Sequence, residues 1–335
     1  MKLGTLRNGR PDGQLVVIAT DLSRYASAGR VAPNLQAALD NWDAVRPALE
    51  ELAGALNAGG IAGAPFDPSE ALAPLPRTYQ RIGGAAYPVR LERPRSPGAN
   101  AAVPAERRAL FYQGASDGLG APMQSFVVPD GDLSPDFSAE IAVVLGPVPM
   151  RPGREEAAAA IRLVTLACEL SLRKLAADDL EQGFGYFLSK PTIAFAPAAL
   201  TPDELGSAWR GQRVFMPVRV LLNNMLFGQP NAGIDMHFDF AELIMAAART
   251  RPLGTGTILS AGTISNRHEE TPPIRREGIG FAAIAEARVV EKAKYGRART
   301  PFLKDGDRIR VAAFDAAERP VFGTIDQTVS VRTRN

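Results

Sequence analysis

The sequence predicts a β-rich α+β fold, and three observations carry this prediction. Short runs of β-branched and aromatic residues, bounded by Gly, Pro, Asn or Asp, recur along most of the 335 residues. Helical spacing of apolar residues is confined to a few segments. The shares of hydrophobic and charged residues, 46% and 22%, are typical of a globular chain with a sizeable core. Strands are therefore expected to form the framework, with helices beside them.

Residues 1–75 are predicted to form a small N-terminal β domain with a helix. Two strands, at residues 2–6 and 15–18, flank a turn-rich segment and indicate a hairpin. Residues 34–56 carry apolar side chains close to helical spacing, and Pro47 is expected to break this helix in two. The Gly- and Pro-rich stretch that follows predicts the domain boundary.

Residues 76–335 are predicted to form a larger domain of strands joined by long connections. Two helices are expected, at residues 154–161 and 240–249, with Asp239 as the N-cap of the second. The predicted strands share β-branched or apolar runs and cover residues 137–145, 163–171, 214–222, 309–314 and 321–331.

Charge and cysteine content exclude several classes of protein. Lys and Arg number 38 and Asp and Glu 36, so the net charge is 38 − 36 = +2, with the two signs interspersed. No clustered basic face is expected, so neither nucleic acid nor a membrane surface is a predicted partner. The single cysteine, Cys168, excludes an intramolecular disulfide. The first residues have no apolar signal region, and no apolar run approaches the ~20 residues of a membrane helix, so the cytoplasm is predicted.

Four local features could carry chemistry. Glu140 and Ser138 share a face of a predicted strand, and Glu169 and Arg173 share a face of a second extended segment. Lys190 ends an apolar loop that contains glycine. The small and hydroxyl residues of segment 256–265 allow a ligand to approach the backbone closely. Taken singly each feature is weak, since a carboxylate on a strand is commonly one half of an ion pair.

The order of these features resembles the fumarylacetoacetate hydrolase family of the bacterial two-domain type. The resemblance covers nearly the full length of the chain. The matching segments are residues 136–146, 161–164, 171–173, 183–185, 189–191, 235–240, 256–258, 262–265, 284–286, 300–302, 306–308 and 322–327. The resemblance implies a fumarylacetoacetate-hydrolase-like mixed β-sandwich or roll, a small SH3-like N-terminal domain, and a homodimer.

The resemblance also implies a particular chemistry. In the family, four carboxylates hold a divalent cation that polarises a 1,3-dicarbonyl substrate. A histidine, oriented by a glutamate, activates the water that attacks a carbonyl carbon. The carbon–carbon bond then breaks and the carbanion leaves as an enolate. Hard oxygen ligands suit Mg²⁺ or Ca²⁺, and the cation stabilises the charge of the enolate.

The metal site that the resemblance implies is incomplete in this chain. Gly83 and Ser138 stand where the family has carboxylates, and a third ligand is lengthened to Glu169. Only Glu140 is unchanged, so Glu140 and Glu169 are weak metal candidates. No cofactor is therefore predicted, with Mg²⁺ or Ca²⁺ as the alternative, because two carboxylates make a poor cage for either ion.

The water-activating histidine is also replaced, by Arg90. Arginine stays protonated in proteins and cannot act as a general base. The two histidines, His237 and His268, lie in segments that match a structural strand and a variable loop, so neither is expected to take over. Arg90 is instead expected to pair with Glu286, which matches the glutamate that orients the histidine.

Other residues match the substrate side of the family's site. Lys190, Glu286 and Arg90 are the candidate catalytic residues. The candidate substrate-binding residues are Tyr112, Gln113, Arg173 and Thr263. Three cations and few carboxylates would suit a small anionic or enolate ligand.

Three functions stay open on this evidence. The first is an enzyme of altered, metal-independent chemistry on a β-keto acid or 1,3-dicarbonyl substrate, with a role in specialised metabolism. Its reaction type is open among lyase, cyclase, isomerase, condensing enzyme and hydrolase. Here Lys190 would act through its charge, as a base or by forming a Schiff base. The second is a conventional Mg²⁺- or Ca²⁺-dependent carbon–carbon hydrolase of acylpyruvates or fumarylacetoacetate. The third is a non-catalytic ligand-binding or scaffold homodimer.

Overall fold

Strands form most of the regular structure. The structure is a computed structural model, and it describes residues 1–87, 109–183, 185–267 and 280–332. The strands are β1 Lys2–Leu6, β2 Gln14–Ile18, β3 Arg24–Ser27, β4 Ala64–Pro65, β5 Arg81–Gly84, β6 Phe111–Gly114, β7 Phe126–Val128, β8 Pro135–Leu145, β9 Ile161–Leu172, β10 Thr192–Phe195, β11 Ala199–Leu200, β12 Trp209–Arg210, β13 Arg213–Val214, β14 Val218–Leu222, β15 Met225–Gly228, β16 Ile258–Ser260, β17 Arg308–Ala313 and β18 Ile325–Val331. The helices are α1 Leu35–Asp40, α2 Trp42–Asn57, α3 Arg154–Ala159, α4 Arg173–Glu181, α5 Phe240–Ala247 and α6 Ile284–Tyr295. The predicted β-rich α+β class is confirmed.

The largest sheet has eleven strands and includes strands of both predicted domains. Its strands lie in the order β4-β3-β2-β1-β11-β9-β8-β16-β5-β6, with β10 also paired to β9. β16 and β5 are parallel, and the other neighbours are antiparallel, so the sheet is mixed. A second sheet has the order β15-β14-β17-β18-β7, and β12 pairs with β13. β1 pairs with β11, so the predicted N-terminal hairpin is continuous with the main sheet. The domain boundary at residue 75 and the SH3-like character stay predictions.

The two faces of the large sheet carry different residues of the same strands. On β8, Phe137, Ile141 and Val143 enter one apolar core, while Ala142 and Val144 enter a second core with Leu39 and Leu49 of the N-terminal helices. Alternate residues of a strand face opposite ways, so Ala142 shares its face with the polar residues before it in β8. Under α1 and α2 this face is therefore apolar, and nearer the start of β8 it is polar.

The N-terminal helical segment breaks at Asn41, so the prediction of a break at Pro47 is wrong. The Asn41 side chain donates to the Ala37 carbonyl at 3.3 Å, a local bond that competes with continued helix. Pro47 lies inside α2. Its missing N–H leaves the carbonyl of Asp43 without a helical partner, and Asp43 is exposed to water.

Two predicted strands are interrupted, each for a backbone reason. Residues 214–222 are divided between β13 and β14, and Pro217, which cannot donate to a ladder, lies in the interruption. The last strand begins at Ile325, because Gly323 has a φ of 80° and breaks the extended path. The helix after Asp239 is confirmed, and its N-cap forms a capping box with Glu242.

Candidate functional site

Register places the polar residues of four strands on one face of the large sheet. Ser138 of β8 lies opposite Glu169 of β9, and Glu140 lies two residues along from Ser138. Ser260 of β16 lies opposite Gly83 of β5. Paired residues, and residues two apart on one strand, point to the same face. β6 adds Tyr112, which lies opposite Gly83.

Glu169 is the centre of this cluster. Its carboxylate is fully buried. Oε1 accepts from Nη1 of Arg81 at 2.9 Å and from the hydroxyl of Tyr112, and Oε2 accepts from Nζ of Lys190. Burial by itself would raise the pKa of Glu169, but the charges of Lys190 and Arg81 outweigh it and lower the pKa to about 2. Glu169 is therefore an anion that holds two cations in place.

Arg81 supplies a cation from inside the protein. Its side chain is fully buried, and Nε donates to the Ala115 carbonyl at 3.0 Å. Burial lowers the pKa of Arg81, but the charge of Glu169 and the hydrogen bonds to Glu169 and Tyr112 together raise it above its usual value, so the guanidinium stays charged. Because every part of the side chain is enclosed, Arg81 acts on the site through Glu169 and Tyr112.

Lys190 and Tyr112 form the less deeply enclosed side of the cluster. Nζ of Lys190 lies 3.1 Å from the Tyr112 hydroxyl oxygen, 4.3 Å from the Tyr112 ring centroid and 5.3 Å from that of Tyr186. An ammonium over aromatic faces is stabilised by cation–π attraction. Burial and the negative charge of Glu169 raise the pKa of Tyr112 well above its usual range. The phenol is therefore neutral and serves as a hydrogen-bond donor.

Two glycines make the room that Tyr112 and Arg81 occupy. A Cβ on Gly83 would stand 2.0 Å from the nearest carbon of the Tyr112 ring. A Cβ on Gly114 would stand 1.9 Å from Nη2 of Arg81. In each cross-strand pair, one residue lacks a side chain and its partner covers the vacant area. The cluster is thus built into the β5–β6 pair.

Replacing Gly83 with alanine is expected to lower the free energy of unfolding by about 1–3 kcal/mol, the usual cost of overpacking. The added methyl group forces the Tyr112 ring away from Lys190 and Glu169. Gly118→Ala is the matched control, because a Cβ there meets no atom within 4 Å. Urea unfolding of both variants checks the prediction, and equal losses at the two positions would contradict it.

Glu140 is buried beside this cluster, and its pKa is shifted in the opposite direction from that of Glu169. Its Oε1 accepts from the Ser138 hydroxyl at 2.9 Å, and that hydroxyl lies 2.6 Å from the hydroxyl of Thr263. Burial and the neighbouring charge of Glu169 raise the pKa of Glu140, and the charge of Lys190 lowers it by less. The two neighbouring carboxyl groups therefore differ, since burial and like charge raise the pKa of Glu140 and cations lower that of Glu169.

Arg173 lies away from Glu169, contrary to the expectation that they share a strand face. β9 ends at Leu172, and Arg173 begins α4. Its Nε donates to Asp136 at 2.8 Å. Asp136 also accepts the backbone N–H groups of Ile284 and Ala285, so it caps the N-terminus of α6, where a negative charge is stabilised.

The structure brings most of the other predicted residues together. Glu140, Glu169, Lys190, Tyr112 and Thr263 belong to the one cluster. Glu286 is buried in the first turn of α6. Gln113 lies on the opposite face of β6 from Tyr112, where it is exposed and bonds to Gln80 at 3.3 Å.

The remaining predicted residues lie elsewhere. His237 is exposed and packs edge-on against Phe238. Arg90 and His268 lie outside the described residues. Sequence reasoning missed Arg81, because its position opposite Gly114 depends on the register between β5 and β6, which the local pattern does not contain. Within the described ranges, no group of three or more His, Cys, Asp or Glu side chains is arranged to hold a metal ion.

Two family models match the chain. Residues 1–77 match the fumarylacetoacetase N-terminal domain 2, and residues 86–330 match the fumarylacetoacetate hydrolase C-terminal domain. No curated protein sequence matches the chain. In the described part of the chain, no helix is both long and apolar enough to cross a membrane.

Solved structures share the fold at low sequence identity. Maleylpyruvate hydrolase from Sphingobium sp. SYK-6, in complex with manganese (II) ion and pyruvate, has a TM-score of 0.64 and 16% identity, over 99% of this chain and 100% of its own. The 5-carboxymethyl-2-hydroxymuconate delta-isomerase from Mycobacterium smegmatis has a TM-score of 0.60 and 15% identity, over the whole of both chains. At this identity the likeness establishes the fold.

Proposed function

Because this chain belongs to the fumarylacetoacetate hydrolase family, we propose that it is an enzyme that acts without a divalent metal on an anionic, enolisable substrate, a β-keto acid or a 1,3-dicarbonyl. The observation that carries this proposal is the contact of both Glu169 oxygens with fixed cations, Arg81 and Lys190. In this arrangement the side chains of Arg81 and Lys190 supply the positive charge that a divalent metal would otherwise supply.

The chemistry needs a positive charge near an oxygen that becomes an enolate. Lys190 supports that role, because its ammonium group is the less enclosed of the two cations and is fixed by Glu169 and Tyr112. The neutral phenol of Tyr112 accepts from Lys190 and donates to Glu169, so it helps to hold the ammonium group in place. Donors fixed before the reaction stabilise developing charge strongly in a water-poor site. The anionic substrate is selected by the same charge.

The described donor set does not fit the divalent cation that the family implies. Such ions take six or more oxygen ligands, several of them carboxylates. Of the carboxylates on this face, Glu169 is held by two cations, Asp136 is bound by Arg173, and the pKa of Glu140 is raised. A divalent ion at Glu169 would also lie close to both cations and be repelled by them.

The other predicted residues keep supporting roles in this proposal. Thr263 forms a hydrogen bond with Ser138 and is proposed to contact the ligand. The proposed catalytic roles of Glu286 and of Arg90, which lies outside the described residues, rest on the family resemblance. Arg173 acts through Asp136, at the start of the helix that carries Glu286. Gln113 is the weakest of the proposed ligand contacts, because it lies on the other face of β6.

Metal analysis of the purified protein tests this proposal against the conventional hydrolase. Less than about one metal ion per ten chains is expected, and EDTA should leave the turnover of acetopyruvate or a β-keto acid unchanged. Stoichiometric Mg²⁺, Ca²⁺ or Mn²⁺, with turnover that EDTA abolishes and metal restores, would contradict it. Tight binding of acetopyruvate or a β-keto acid without any turnover would favour the third function, a non-catalytic binding protein.

The proposed setting is a cytoplasmic homodimer that serves specialised metabolism. A buried, unpaired Cys168 suits a reducing compartment. The family resemblance supports the dimer, which size-exclusion chromatography with light scattering can test. The choice between lyase, cyclase, isomerase, condensing and hydrolytic reactions is a matter for product analysis.

A further inference from the structure

Two buried polar atoms on neighbouring strands have no hydrogen-bond partner among the described residues. They are Oε2 of Glu140 on β8 and Oγ of Ser260 on β16. The two side chains are 1% and 0% exposed. Ser260 lies opposite Ala142, two residues from Glu140, so both side chains point to the face that carries Glu169.

Such atoms are costly to leave unpaired. A buried polar group without a partner loses its bonds to water and gains none in return. The Ser260 hydroxyl is close enough to lower the pKa of Glu140, but no bond between them satisfies hydrogen-bond geometry. An oxygen atom placed between the two groups would satisfy both.

We propose that Glu140 and Ser260 form a binding subsite for one oxygen of the substrate, the carbonyl or enol oxygen that lies beside Lys190. This inference rests on the proposed function, since it places the substrate within the same cluster. Ser260 donates its hydroxyl to the ligand oxygen, and a single proton lies between that oxygen and Oε2 of Glu140. Glu140 is thereby a ligand-binding residue.

The neighbours of Glu140 leave one of its two carboxyl oxygens for the ligand. Oε1 is already fixed by the Ser138 hydroxyl, so Oε2 is the atom directed at the ligand.

Calorimetric titration with oxalate tests the subsite. Oxalate is an unreactive anion whose adjacent oxygens imitate those of a 2-keto acid enolate, the part of the molecule that acetopyruvate, a 1,3-dicarbonyl, shares with pyruvate. In buffer with EDTA, Glu140→Ala and Ser260→Ala are each expected to weaken binding by roughly 10-fold or more, the effect of losing a hydrogen bond to a charged group. Glu140→Gln is expected to stay within about 3-fold of the wild type, because its amide N–H replaces the acid O–H.

Ser171→Ala is the matched control. Its hydroxyl is also buried and has no hydrogen-bond partner among the described residues. Ser171 lies on the face of β9 that carries Glu169, but opposite Asp136 rather than beside Glu140. It should change oxalate binding by less than about twofold. Thermal unfolding of each variant shows that it is folded.

The outcomes separate the two proposals. If Lys190→Met abolishes oxalate binding while Glu140→Ala and Ser260→Ala leave it unchanged, the subsite is overturned and the proposed function stands. Tighter binding by Glu140→Ala also overturns the subsite, since it would mean that Glu140 is an anion that repels the ligand. If the wild type does not bind oxalate at all, the proposed substrate class fails and the subsite with it.

Discussion

Replacing Glu169 with glutamine is expected to lower the free energy of unfolding by about 3–5 kcal/mol, the cost of removing one partner from a buried ion pair. The substitution removes the carboxylate charge that both Arg81 and Lys190 contact. Arg81 cannot turn to water, because its side chain is fully buried. The midpoint of urea unfolding at pH 7 measures the loss.

This loss is expected to depend on pH in one direction. The pKa of Glu169 is lowered from 4.5 to about 2, so the folded state prefers the ionised carboxylate. Its contribution to stability is complete above pH 4.5 and is lost as the pH falls toward 2. The difference between wild type and Glu169→Gln should therefore narrow over that interval.

Glu318→Gln is the control for Glu169→Gln. Glu318 forms an ion pair with Arg219 at 2.7 Å, but its side chain is 65% exposed. Surface pairs of this kind contribute about 0–1 kcal/mol. If Glu169→Gln costs no more than Glu318→Gln, then Glu169 does not hold the two cations as described.

Replacing Lys190 with methionine is expected to lower kcat/KM by roughly 10²–10³-fold, the usual effect of losing one donor that stabilises an oxyanion. Methionine keeps most of the length and apolar stem of lysine but removes the charge. Stability should fall less than in Glu169→Gln, because Arg81 still neutralises Glu169. The initial rate with acetopyruvate or a β-keto acid, in the presence of EDTA, is the measurement.

Lys174→Met is the control for this variant, since Lys174 is exposed on α4, and it should leave the rate unchanged. A rate for Lys190→Met within about threefold of the wild type would contradict the electrostatic role. Borohydride reduction in the presence of substrate distinguishes the alternative in which Lys190 forms a Schiff base. A stable adduct on Lys190 would assign covalent catalysis to it.

Local pattern was sufficient for much of the strand framework. The alternation around Ser138 and Glu140 predicted that both lie on one face of β8, and the structure confirms it. The capping residue Asp239 was also predicted correctly, because an N-cap is defined by its own next three residues. By contrast, Pro47 was judged by its type alone, and the exposure of Asp43 decides that this proline is tolerated within α2.

By itself, the sequence determined the β-rich class, the family resemblance and the incomplete set of metal carboxylates. Only the tertiary structure decided which cations hold Glu169. Arg81 lies 88 positions from Glu169 in the chain, and the order β9-β8-β16-β5 brings the two together across the sheet. It also decided that the pKa of Glu140 is raised while that of Glu169 is lowered, since these shifts depend on burial and on charges from distant parts of the chain. Contacts between distant strands depend on sheet order and register, which local periodicity does not contain.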